Sequence, residues 1–331
     1  MTAIERIVFF GTPAFAVPTL QALVAAGRSP TLVVSQPARG RGRGRRVVQP
    51  PVAQYALDQG LELAQPEKVR EAEFLDHLRA LEPDLAVVVA FGQIFSQKLL
   101  DIPRLGCVNV HASLLPAYRG AAPIAAAIRS GDERTGVTTM VMERGLDSGP
   151  MLLEESTEIG LRETCGELTE RLSVLGAQLL VQTVDALEAG TLEPREQDHD
   201  LATFAPQLKK SDGAIDFRKE ARLVDAHLRG FDPWPGSFAT FRGEILSVRS
   251  GRSLPKRQPG NARPGEILGL EGDALAVACG ESTVFGLESV QRPGKKPVSA
   301  RDWVNGSRPE PGEGFTLLEG AEEDGPAEAT K

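Results

Sequence analysis

The first half of the sequence alternates short, unbroken apolar runs with longer stretches of helical spacing, and few architectures accept that pattern. Arg6-Ile-Val-Phe-Phe10, Thr31 to Ser35 and Leu85 to Phe91 lack the every-other-residue polarity of a half-exposed strand. Such runs read as strands covered on both faces, as in a parallel sheet. Between and after them, Phe15 to Ala26, stopped by Gly27, and Ala72 to Leu81 read as helices. Leu105 to His111 leads into a turn-rich segment and a small-residue helix near Ile124 to Arg129. Thr135 to Met142 and Met151 to Ile159 follow as strands. Leu168, Leu172, Leu175 and Leu179 then mark a long helix ending at Gly190. Residues 1–190 are therefore expected to form a doubly wound, open-sheet α/β domain.

The pattern changes after that helix. Residues 191–208 are polar, with Pro194 and Pro206, and read as a linker. From 209 to 309 a short helix at Leu223 to Leu228 is followed by brief strands between Gly/Pro turns, which predicts a small β-barrel of the OB kind. Residues 310–331 form an acidic tail expected to be disordered. A chain of 331 residues fits this two-domain division.

Charge separates the same regions. The net charge of −8 argues, taken globally, against nucleic acid as a partner. Yet the tail holds Glu310, Glu313, Glu319, Glu322, Glu323, Asp324 and Glu328 against Lys331 alone, so it accounts for −6. Arg6 to Leu57 carries Arg6, Arg28, Arg39, Arg41, Arg43, Arg45 and Arg46 and no acid at all. The longest apolar run, Leu85 to Phe91, is far short of the ~20 residues that span a bilayer. Met1 to Phe10 does not read as a secretory signal. Cys107, Cys165 and Cys279 contain no C-x-x-C pair, which leaves no disulfide framework or zinc cluster and suggests a reduced, cytoplasmic setting.

Three segments carry candidate chemistry. On a strand, Cys107, Asn109 and His111 share a face, with Asn109 and His111 ~7 Å apart at the carboxyl end, where open α/β sheets bind ligands. A structural Asn-His pair bonded into a turn would have the same spacing. Cys107, ~13 Å from His111, is too distant for a nucleophilic Cys-His pair and reads as core. Gly145-Leu-Asp147-Ser-Gly149-Pro presents one carboxylate on a sharp turn; it is good turn chemistry, or a partner for His111 in moving a proton. The run from Arg39 to Arg46 is either a solvated loop or a phosphate-binding one. Arg249, Arg252, Lys256, Arg257 and Arg263 add a second basic stretch, and Lys295-Lys296 a third. Gly11-Thr-Pro-Ala-Phe-Ala lacks G-x-G-x-x-G, and the Gly-rich run at Gly40 lacks G-K-[ST], which speaks against dinucleotide and phosphate-loop sites.

Taken in order, five motifs resemble the folate-dependent formyltransferase family. They are Arg6 to Thr12 with Pro13-Ala-Phe15, Asn109 to Pro123, Gly145 to Pro150, Phe231-Asp-Pro-Trp-Pro235-Gly and Pro293-Gly-Lys-Lys296. The likeness runs from Arg6 to Arg308, and the acidic tail falls outside it. It implies a catalytic trio of Asn109, His111 and Asp147, and a tetrahydrofolate-binding loop at Ser113, Leu114, Leu115 and Pro116. It also implies tRNA contacts from Arg39, Arg41, Arg43, Arg45 and Arg46, with Arg43 foremost. The implied reaction transfers a formyl group from 10-formyltetrahydrofolate, as cosubstrate and without a metal, to the methionyl amino group on initiator tRNA for translation initiation. A monomer without membrane contact is expected. The arginine loop departs from the family in being almost wholly Arg-Gly, without a Pro after Arg39 or any Lys. Glycinamide ribonucleotide or a sugar nucleotide would need neither that loop nor the β-domain. A tRNA-binding module with a vestigial catalytic fold would bind without transferring.

Overall fold

The computed structural model of the chain describes residues 3–41 and 46–316. The chain divides into two compact units. The first comprises Met1–Ile124, Arg134–Glu158 and Glu167–Pro206, and the second Ala125–Glu133, Ile159–Gly166 and the chain from Gln207.

The first unit is built on a seven-stranded sheet. Leu63–Ala64, Leu32–Val34, Ile7–Gly11, Leu85–Val89, Cys107–His111, Arg134–Val141 and Met151–Glu158 lie side by side in that order. The first five are parallel, and the last two continue the sheet antiparallel. Every residue of Ile7–Gly11 and Leu85–Val89 is buried, as the unbroken apolar runs require. Val8, Phe10, Ala86, Val88 and Cys107 pack in one cluster with Phe74, Leu75 and Leu78 of the helix Ala72–Ala80. The Phe10 ring meets Phe74, Phe91 and Phe95 edge-on. Full burial of each such side chain is worth about 1.5–3 kcal/mol.

From the Ile7–Gly11 strand the sheet grows both ways, to Leu32–Val34 on one side and Leu85–Val89 on the other. The crevice outside the carboxyl ends at such a reversal is where open α/β sheets take ligands. The amino ends are pinned instead by Asp84. Its carboxylate accepts the Glu5 and Arg6 amides at 2.9 Å each and the Arg104 guanidinium at 2.8 and 3.1 Å. Burial alone would raise this carboxyl; the Arg6 amide, the Arg104 guanidinium and the Glu5 amide override it and hold it down at about 2.

The polar stretch that begins at Thr191, expected as a linker, is tied to the first unit as far as Ala205. Arg195 pairs with Met151, Gln197 is buried, and Phe204–Ala205 runs parallel to Arg119–Gly120. Most of its side chains are exposed, which accounts for its polarity, and Gln197 is the one polar residue of the stretch that is buried.

The second unit holds the antiparallel strands Ser237–Phe241, Glu244–Ser253, Val284–Gln291, Ala274–Ala278 and Ile267–Glu271, adjacent in that order, with Val298–Ser299 beside Val284–Gln291. Phe217, Phe241, Phe285, Trp303 and Phe315 fill its core. Residues 310–316, expected to open a disordered acidic tail, belong instead to the second unit. Gly314 pairs with Glu266 at one edge of the sheet and Thr316 with Thr240 at the other, so this segment closes the barrel. Phe315 between them stacks on Phe217 and Trp303. One buried aromatic outweighs the acidic composition that suggested disorder. Residues 317–331 lie outside the described chain. No helix among the described residues is long and apolar enough to cross a membrane.

Candidate active site

Alternation along Cys107–His111 buries Val108 and Val110 on one face and turns Cys107, Asn109 and His111 to the other. Burial, with a contribution from the Asp101 charge, pushes the Cys107 thiol up to about 12, so it stays a protonated core group. Asn109 is half-buried and His111 only 5 % exposed. The His111 Nε2 lies 2.9 Å from the Tyr118 carbonyl oxygen. A carbonyl only accepts, so Nε2 carries a proton, and Nδ1 is the ring nitrogen left for chemistry. Nδ1 faces Asp147 Oδ2 at 3.7 Å. That is beyond hydrogen-bond reach but close enough for the carboxylate to stabilise an imidazolium.

Asp147 reaches this position from a turn after Arg134–Val141, with a left-handed φ of 47° that Asp tolerates better than most residues. Its Oδ2 accepts the Gly120 amide at 2.8 Å. Both flanking motifs need glycine here. A Cβ on Gly120, whose φ is +117°, would lie 2.6 Å from the Ala205 carbonyl oxygen, and one on Gly149 would collide with the Val141 carbonyl. The structure therefore places Asn109 and His111 on one face of one strand and Asp147 beside His111.

The Ser113–Pro116 loop sits directly after that strand. Ser113 is wholly buried, and its hydroxyl is spent on the Ala117 carbonyl at 2.6 Å. Thr138 Oγ1 donates to the Ser113 carbonyl and accepts the Leu115 amide, while Leu115 packs on Met140 and Met151. Of the four, Leu114 and Pro116 keep partial exposure with which to touch a ligand.

Within the arginine segment, Arg39–Arg41 pairs antiparallel with Arg46–Val48. Arg43 and Arg45 lie outside the described residues. Arg39 and Val48 line a cavity of about 850 Å³ together with Thr12, Lys68, Arg70 and Phe91. It opens at the carboxyl ends of Ile7–Gly11, Leu32–Val34 and Leu85–Val89, the last adjacent to the Asn109 strand. In the second unit the basic stretch is weaker than its residue count implied. Arg252 pairs with Glu288 at 2.9 Å, Arg257 with Glu271 at 3.6 Å, and Arg249 bonds Gln291.

Sequence reading missed three residues that hold the site together. Arg119 donates to Gln197 Oε1 at 2.7 and 3.0 Å and to His199 Nδ1 at 3.0 Å. Burial pulls the Arg119 pKa below its usual value against the opposing pull of Asp147. Arg119 stood inside a recognised motif; Gln197 and His199 carried no local signal.

The chain thus combines an open α/β sheet, with Asn109, His111 and Asp147 at the carboxyl end of one strand, and a second unit built on antiparallel strands. Residues 5–184 match the formyl transferase family, and residues 207–308 match the formyl transferase C-terminal domain. The chain belongs to the formyl transferase family. A methionyl-tRNA formyltransferase of Solibacter usitatus is 49% identical over 303 residues, covering 92% of this chain and 96% of that protein. One of Citrifermentans bemidjiense is 46% identical over 307 residues, covering 93% and 95%. Among solved structures, the sugar 3N-formyl transferase WlaRD superposes with a TM-score of 0.64 at 15% identity, covering 89% of this chain and 100% of that one. The N-formyltransferase of Helicobacter canadensis gives 0.62 at 14%, covering 86% and 99%. At these identities the structural likeness is one of fold.

Proposed function

We propose that the chain transfers the formyl group of 10-formyltetrahydrofolate to the amino group of methionine carried on initiator tRNA, in the cytoplasm and as a monomer. The observation that carries this reading is the near-full-length likeness, through both units, to methionyl-tRNA formyltransferases. The basic wall of the cavity, with Arg39, Lys68 and Arg70 against Glu67, suits a polyanionic substrate. The tetrahydrofolate enters as a substrate, for which half-buried Leu114 and Pro116, backed by Leu115, Met140 and Met151, offer an apolar surface.

The reaction joins the neutral methionyl nitrogen to the formyl carbon, breaks that carbon's bond to folate N10, and moves one proton from the amine to N10. The charge to be stabilised sits on the formyl oxygen as the amine adds. Asn109 donates from its amide and His111 from Nδ1–H, because Nε2–H is held by the Tyr118 carbonyl. Asp147 stabilises the imidazolium and orients the water that relays the proton. Arg39, Arg41, Arg43, Arg45 and Arg46 hold tRNA phosphates. Incubation with 10-formyltetrahydrofolate and either methionyl initiator tRNA or glycinamide ribonucleotide tests the reading. Formyl-methionyl-tRNA is the expected product, and its absence rejects the proposal.

A further inference from the structure

Gln197 is 4 % exposed and uses its whole amide. Oε1 accepts both hydrogen bonds from Arg119 Nε and Nη2, and Nε2 donates to the Asp147 carbonyl at 2.8 Å and the Gly149 carbonyl at 2.7 Å. The orientation is forced, since a guanidinium only donates and carbonyls only accept. Arg119 in turn lies between the two backbone groups that hold the trio. Tyr118 before it supplies the carbonyl on His111 Nε2, and Gly120 after it supplies the amide on Asp147 Oδ2. The links therefore close a ring of the Arg119–Gly120 backbone, the Arg119 side chain, Gln197 and the Asp147 turn, with His111 attached to it through the Tyr118 carbonyl.

The segment bearing Gln197 is itself anchored on both sides. Arg195 exchanges two backbone hydrogen bonds of 2.8 Å with Met151. Thr203 accepts the Arg119 amide through its carbonyl and the Tyr118 amide through its hydroxyl, each at 2.8 Å. Gln197 thus acts from a fixed base on two loops that come from distant parts of the chain.

We propose that Gln197, acting through Arg119, is a positioning residue that sets the spacing of His111 Nδ1 and Asp147 during formyl transfer. This rests on the reading of Asn109, His111 and Asp147 as the catalytic trio. Gln197→Glu keeps volume and the acceptor for Arg119 but sets a carboxylate oxygen against two carbonyls, releasing the Asp147 turn. Arg119→Lys keeps charge but loses the two-pronged grip on Oε1. A displacement near 1 Å at a reacting group costs about 10²-fold in rate.

The test measures kcat and both KM values of the full chain in formylation of methionyl initiator tRNA for Gln197→Glu, Arg119→Lys, their double variant and Asp147→Asn. Each single positioning variant is expected to lose about 10- to 100-fold in kcat with both KM values within about twofold. The double variant is expected to be no slower than the slower single, because both break one link. Unchanged kcat, a rise in KM with kcat retained, or a double-variant loss equal to the product of the singles would overturn the proposal. Should Gln197→Glu fail to fold by circular dichroism, the same kcat-against-KM split in Arg119→Lys decides. Loss of kcat in Asp147→Asn with full kcat in the other two rejects the positioning role alone; full kcat in Asp147→Asn rejects the trio reading itself.

Discussion

Asp84 and Asp147 stand at opposite ends of one sheet. At the amino ends, Asp84 accepts two backbone amides and a guanidinium, and its carboxyl titrates near 2. At the carboxyl edge, Asp147 accepts one backbone amide and faces, without bonding, an imidazole 3.7 Å away. The number of donors makes the difference: two amides and a guanidinium fill Asp84, whereas the Gly120 amide alone bonds Asp147, which lies beside His111 at the carboxyl end where open α/β sheets take ligands. A carboxylate with every acceptor site taken fastens the fold, and one with capacity to spare remains available to a substrate or a proton.

Three measurements sharpen that contrast. The largest effect falls on the carboxyl edge: Asn109→Ala is expected to lower kcat about 10²- to 10³-fold by removing an oxyanion donor, with tRNA affinity measured by filter binding unchanged. Equal loss of binding would make Asn109 structural. The next falls on the amino ends. Because the Asp84 carboxyl is held below its unfolded value, its stabilisation is fully present above about pH 4 and is lost as pH falls towards 2. Urea unfolding should show Asp84→Asn to be less stable at pH 7 by an amount on the order of 2 kcal/mol, with a flatter decline between pH 4 and 2. The smallest concerns binding alone. Replacing Arg41, Arg43 and Arg45 by Ala should weaken tRNA and flatten the salt dependence by roughly 0.9 per arginine that meets a phosphate, leaving kcat at saturation intact. An unchanged salt slope removes these arginines from the tRNA contact.

What could be read from sequence follows from how far each signal travels along the chain. Ile7–Gly11 and Leu85–Val89 were legible because burial on both faces leaves an unbroken apolar run. Asn109 and His111 were legible because strand alternation places them together over three residues. Gln197 was not, since its partner Arg119 lies 78 positions away and a buried amide among polar neighbours resembles a linker. Phe315 was hidden in the same way, as a single core residue at the head of an acidic stretch. The pairing of Arg252 with Glu288 depended on strand register, which residue counts do not carry.

The most direct measurement makes the same substitution at both ends of the sheet. In single-turnover formylation of methionyl initiator tRNA at pH 7, with both substrates saturating, Asp147→Asn is expected to react about 10²-fold or more slowly than the parent chain. Asp84→Asn, folded under the same conditions, is expected to react at the parent rate. Equal rates for Asp147→Asn and the parent, or parallel losses in both variants, would contradict the division of labour between the two ends.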